Sequence, residues 1–143
     1  MSELLVRTID LSCDIAHAFD VFTSRIDLWW PRGHRKTRDG ALRLDAVAGG
    51  ALIDRAPNGG EWTMARVTEI EPPSLLALDW YPGSPAAPTS VEVRFVPSGD
   101  GTLVTVTHRP LRDSAAIWPQ RVAQFTAGWD AVLPALKSCI EET

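Results

Sequence analysis

The stretch PQRVAQFTAGWDAVLPALKSCI, residues 119–140, decides how the rest of the chain is read. Its apolar residues Val122, Phe125, Trp129, Val132, Leu136 and Ile140 recur at spacings of three and four, which lines one face of a helix of about five turns. Pro119 suits a first helical turn, where its missing N–H is no loss. Pro134 lies inside the pattern, lacks a helical donor and crowds the preceding turn, so a bend or a break is expected there. A helix this long with one apolar stripe needs a broad apolar surface to cover it.

Upstream, the pattern changes to an alternation of period two. Residues 42–45, 50–55, 61–70, 75–80, 90–96 and 102–108 read as strands bounded by turn chemistry. Asn58-Gly59 and Asp100-Gly101 are the strongest hairpin signals, since both tolerate the positive φ of a tight turn. Pro72-Pro73 interrupts the ladder between two strands, and the three prolines of residues 82–88 mark a surface connection. Residues 4–11 form a further strand, with Leu5, Ile9 and Leu11 on one parity and Leu4, Val6 and Thr8 on the other, so both faces are expected to be partly covered. Ser12 then offers an N-cap to a helix carrying Ile15, Ala18, Phe19 and Phe22 on one stripe, and a short helical piece at residues 24–28 ends before Trp29-Trp30-Pro31. The sum is an α+β domain: a curved seven-stranded antiparallel sheet wrapped around a long C-terminal helix, with one or two short helices after the first strand. A gap between such a sheet and one helix is where small apolar ligands are held.

At 143 residues, with no linker and no repeat, one domain spanning 1–143 is expected, long enough to need neither disulfide nor structural metal. The net charge of −4 argues against a general nucleic-acid binder. Cys13 and Cys139 stand apart without metal spacing and read as reduced thiols of a cytoplasmic protein. No signal peptide and no apolar run long enough to span a bilayer is seen, so no membrane is expected. GxSxG, HExxH, P-loop and GxGxxG motifs are missing, which removes the usual support for hydrolase, zinc-protease and nucleotide readings. His17, His34 and His108 lie in separate elements, so neither a metal nor another cofactor is expected.

Several pieces in order resemble a known family. They are Ala18-Phe19-Asp20-Val21-Phe22-Thr23 leading to Trp29-Trp30, Gly49-Gly50, the run from Val67 through Pro72-Pro73 to Trp80, Asp100-Gly101-Thr102 with Val104, Val106 and His108, and Gly128 to Lys137. Together they resemble the polyketide cyclase/START-like (SRPBCC) superfamily, and within it the group similar to the C-terminal domain of the activator of the ninety-kilodalton heat-shock-protein ATPase. The resemblance implies a helix-grip fold and a hydrophobic cavity. It departs at Ala65, where the group often has glycine, and at Pro134.

His108 shares the apolar parity of Val104 and Val106, so its ring is expected to face the cavity. There it is either a proton donor or acceptor toward a ligand, or a partly buried histidine bonded to a backbone carbonyl. Of six tryptophans, Trp80 and Trp129 fit core positions, whereas Trp29 and Trp30 sit beside turn residues and are expected to form a cavity lid, exposed enough to support a dimer. The expected ligand-binding set is Trp29, Trp30, Trp62, Met64, Trp80, His108, Phe125 and Trp129. Met64 and Arg66 share one parity of their strand and Ala65 and Val67 the other, and which faces inward stays open. Arg32, Arg35, Lys36 and Arg38 cluster in a loop that binds an anion or an acidic protein surface, or is simply solvated.

The leading expectation is non-enzymatic binding of a hydrophobic or aromatic small molecule by a monomer or homodimer. Co-chaperone-like binding to a heat-shock ATPase follows from the resemblance alone. A cyclase/aromatase-type enzyme would use the same cavity, with His108 as its catalytic candidate.

Overall fold

The computed structural model describes residues 4–81 and 87–142. Seven strands form one antiparallel sheet: β1 (Leu5–Leu11), β2 (Ala41–Leu44), β3 (Ala51–Arg55), β4 (Glu61–Glu71), β5 (Leu75–Trp80), β6 (Thr89–Ser98) and β7 (Gly101–Pro110). Their order is β1-β7-β6-β5-β4-β3-β2, so the first and second strands lie at opposite edges. Helices α1 (Ile15–Thr23) and α2 (Ile26–Trp29) bridge the two edges, and α3 (Trp118–Glu141) closes the fold. This is the expected α+β helix-grip architecture. The connection at residues 82–86 lies outside the described residues.

The apolar parities meet on one face. Val91, Val93 and Phe95 of β6, Val104 and Val106 of β7, and Leu76 and Leu78 of β5 are all buried. Phe95 stands edge-on to Phe19 and Phe22 of α1 at ring-centroid distances of 5.2 and 5.7 Å. Edge-to-face pairs of this kind add to what burial alone contributes, by about 1 kcal/mol each. The opposite parity of β1 is open, with Leu4 and Val6 54% and 45% exposed, so only one face of that strand is covered.

Local chemistry moves several boundaries. Asp14, not Ser12, caps α1: its carboxylate accepts from the His17 N–H at 2.8 Å, because the carboxylate one turn ahead of the first free amides is the group within reach. The hairpin between β6 and β7 turns at Gly99, whose φ is +57°, while Gly101 is already paired with Ser98. Ala56 and Gly60 close a longer turn around Asn58-Gly59, with the Ala56 N–H on the Gly60 carbonyl at 2.8 Å.

Pro134 neither breaks nor ends α3, which runs unbroken through it. The proline is exposed. Val132, Leu133 and Leu136 on either side are buried and clamp the backbone, so packing overrides the missing hydrogen bond.

Candidate functional site

The 31–40 segment is built before any cavity can be. Arg35 is only 2% exposed at its side chain and lies 2.6 Å from Asp27 through Nη1. It makes five hydrogen bonds, reaching also the carbonyl oxygens of Asp27, Trp30 and Gly40. Asp27 in turn accepts from the Leu42 N–H at 2.8 Å and so joins α2 to β2. Burial would raise the Asp27 carboxyl, but the Leu42 N–H, the Arg35 hydrogen bond and the Arg35 and Arg32 charges outweigh it and hold it below the ordinary value. On the other side, the buried Asp54 carboxylate accepts from Thr37 N at 3.0 Å and Thr37 Oγ1 at 2.9 Å. Gly40 is required there, because a Cβ would collide with both Thr37 and Asp54.

The four cations therefore have different roles. Arg35 is an internal tie, contrary to a solvated or partner-seeking loop residue, because backbone carbonyls and one carboxylate surround it. Arg32 bonds the carbonyls of Gly40 and Arg38 through Nη1. Lys36 and Arg38 remain exposed.

Fixing this segment holds two tryptophans. Trp29 does not form a lid: it is buried against Phe22 with centroids 5.2 Å apart, and its Nε1 donates to the Val21 carbonyl at 2.8 Å. Its indole is too large to leave in water when α1 offers both an apolar wall and an acceptor. Trp30 is equally buried and donates to the His34 carbonyl at 3.1 Å, so neither residue offers the exposed surface expected to support a dimer.

Between the sheet, the 30–36 segment and the first half of α3 lies a cavity of about 740 Å³. Trp30, Trp80 and Trp129 pack against one another along one wall, with ring centroids 5.8, 6.0 and 6.1 Å apart. Phe125 and Met64 add apolar surface, and Trp62, 39% exposed, stands at the rim. Lys36, Glu61, Arg121 and Gln124 supply polar groups around it. Of the eight residues expected from the sequence to bind a ligand, the structure brings seven together and places Trp29 behind the wall.

A bulge decides which residues of β4 face the cavity. Leu52 pairs with Ala65 but Asp54 pairs with Trp62, so Met64 is the extra residue and Trp62 shares a face with Ala65. Strict alternation would have put Trp62 on the side of Arg66. Arg66 faces out and donates to the Gly49 carbonyl at 2.8 Å, Ala65 and Val67 are buried in the core, and the cavity takes Trp62, Thr63 and Met64 from both parities around the bulge.

His108 is fully buried at the base of this wall. Trp129 Nε1 donates to its Nδ1 at 3.0 Å, and an indole nitrogen can only donate, so the ring proton is on Nε2. Nε2–H then donates to Thr89 Oγ1 at 2.8 Å. The partners are side chains rather than the expected backbone carbonyl. Burial lowers the His108 pKa to about 4, so the ring is neutral at pH 7. Phe125 and Trp118 flank it at 4.4 and 5.3 Å.

Sequence reasoning missed Arg121, Gly128 and Tyr81 as lining residues. The first two carried a signal: Arg121, Phe125, Gly128 and Val132 form one i, i+4, i+7, i+11 row, and a glycine within such a row marks room for something else. Tyr81 follows the last residue of β5 and had none.

Among the described residues, no group of His, Cys, Asp and Glu could hold a metal, and no helix is long and apolar enough to cross a membrane. No curated protein matches the chain significantly in sequence. Solved structures share the fold at low identity. Protein MLL2253 from Mesorhizobium loti is 17% identical over 98% of this chain and 98% of that one, with a TM-score of 0.70. CalU16 from Micromonospora echinospora is 21% identical over 96% of this chain and 75% of that one, with a TM-score of 0.66. The Aha1 dimer from Colwellia psychrerythraea is 19% identical over 99% of this chain and 97% of that one, with a TM-score of 0.70. The match that assigns a family is to its sequence model: over residues 12–141 the chain belongs to the Activator of Hsp90 ATPase homolog 1-like protein family.

Proposed function

We propose that the protein binds an aromatic or otherwise hydrophobic small molecule in the cavity between the sheet and α3, without transforming it. The observation that carries this reading is the wall of Trp30, Trp80 and Trp129 facing about 740 Å³, within the size range of sites for small organic ligands. His108 serves this wall as a positioning residue. Both its nitrogens are engaged, so it fixes the Trp129 indole and has no free proton to exchange with a ligand.

The test is titration with the neutral probe N-phenyl-1-naphthylamine, read by probe and tryptophan fluorescence. A Cβ at Gly128 would meet nothing nearer than His34 Nδ1 at 3.9 Å, so the side chain of Gly128→Leu enters the cavity and fills part of it. Saturable binding that this variant weakens about tenfold or more, at unchanged melting temperature, is the expected result. Lack of any saturable binding by the wild type would overturn the reading.

The family description supports a second reading, docking on an Hsp90-type ATPase. It expects the chain to change the steady-state ATPase rate of such a chaperone; an unchanged rate with saturating protein would remove it.

A further inference from the structure

We infer that the ligand has a single polar end: an aromatic or similar hydrocarbon body that enters the cavity, with every hydroxyl or amine gathered at the end left at the mouth. This rests on the cavity-binding reading above and adds where on the molecule polar groups are tolerated. The buried side chains of the lining have their hydrogen-bonding capacity already used. Trp30 Nε1 donates to the His34 carbonyl and Trp129 Nε1 to His108 Nδ1. His108 Nε2 is paired with Thr89 Oγ1, a hydroxyl that lies behind the lining. Arg35, only 2% exposed at its side chain, directs all five of its N–H groups to Asp27, Trp30 and Gly40. Half-buried Trp80 carries an indole donor and no acceptor, and Tyr81 lies past the end of β5 on the opposite parity.

The mouth differs. Lys36, Glu61, Thr63 and Gln124 are all exposed, and between them they donate, accept and carry one charge of each sign. The rim therefore serves a polar head without choosing its charge, whereas a hydroxyl on the inserted end leaves water and finds no side-chain acceptor. Turning a ring does not rescue it: aiming Trp129 Nε1 at the ligand would leave the buried His108 Nδ1 without its donor. An orphaned hydroxyl of this kind lowers affinity by about tenfold or more.

Two isomers separate the position of polar groups from their number. Biphenyl-3,4-diol has both hydroxyls at one end, and biphenyl-4,4′-diol has one at each. Measured by displacement of N-phenyl-1-naphthylamine, the 3,4-diol is expected to bind about tenfold more tightly. Gly128→Leu must weaken it along with the reporter, which shows that the two share the cavity. Val132→Thr, or Met64→Gln at a half-buried position where folding is not at risk, places an acceptor in the wall and is expected to tighten the 4,4′-diol about fivefold relative to its isomer. Equal affinity of the isomers, or no displacement by either, overturns the inference and leaves the cavity reading standing. A gap unchanged in both wall variants also overturns it, since the discrimination then lies elsewhere. If N-phenyl-1-naphthylamine itself does not bind, the cavity reading falls, and this inference with it.

Discussion

The two halves of α3 carry one continuous apolar stripe and have opposite fates. From Trp129 onward, Trp129, Val132, Leu133, Leu136 and Ile140 are buried, with Trp129 and Val132 still lining the cavity. In the first half only Trp118, packed on His108 and Phe125, is buried; from Pro119 to Gly128 no residue is, and Phe125 on the same stripe borders the cavity. The helical period is identical in both halves, so it reveals which face turns inward without revealing whether that face meets protein or open space. The first half of α3 faces the 30–36 segment across the cavity, and Gly128 contributes no side chain to fill the space between them.

The largest test of this contrast is a pair of truncations. Leu136→Ala in the packed half removes a fully buried side chain and is expected to cost about 3–4 kcal/mol in denaturant unfolding. Phe125→Ala, in the half that borders the cavity, is expected to cost roughly 1–2 kcal/mol, well under the usual price of a core phenylalanine. Equal losses would mean that the two halves are packed alike. His108 touches Phe125 and Trp129 and so joins the halves. Its pKa is depressed from 6.5 to about 4, which means the unfolded chain takes up the proton first. The stability it contributes is complete above pH 6.5 and is lost as pH falls from there toward 4, a change of roughly 3 kcal/mol. His108→Gln should remove that part of the slope, measured as the difference from wild type in unfolding free energy at pH 7 and pH 4.5. Slopes that match would show that the ring is not the group being protonated. The smallest effect belongs to Arg7, whose Nε lies 2.8 Å from Asp130 just after the boundary between the halves. Both side chains are well exposed, so Arg7→Ala is expected to cost about 0.5 kcal/mol, and less in high salt. A loss several times larger would make β1 an anchor of α3.

What was legible in the sequence was periodic. The strands, the long helix and their single apolar face follow from spacing, and His108 could be aimed at the interior because Val104 and Val106 share its parity. Features set by one residue against a distant one were not legible. The bulge at Met64 is a mismatch of β3 and β4, and nothing within β4 announces it. Trp29 and Trp30 read as a lid because turn residues surround them; the Val21 carbonyl and Phe22 that take in Trp29 belong to a different helix. The basic segment read as solvated because its acids, Asp27 and Asp54, lie outside it and arrive only with α2 and β3. The break foreseen as one alternative at Pro134 is absent for a related reason, since propensity is local and the burial of Leu133 and Leu136 is not.

The pairing of β1 with β7 sets Leu5 opposite His108 and so joins the first strand to the last. Such a contact closes a long loop, and proteins dominated by distant pairings fold slowly for their size. Of the seven strands, β1 comes first along the chain, and its neighbour β7 comes last. Until β7 appears, its ladder of backbone groups stands open along both sides, and afterwards one side remains the edge of the finished sheet. Arg7 and Asp10 put charge into this strand, and charged residues on an exposed edge make desolvating it against another apolar strand costlier.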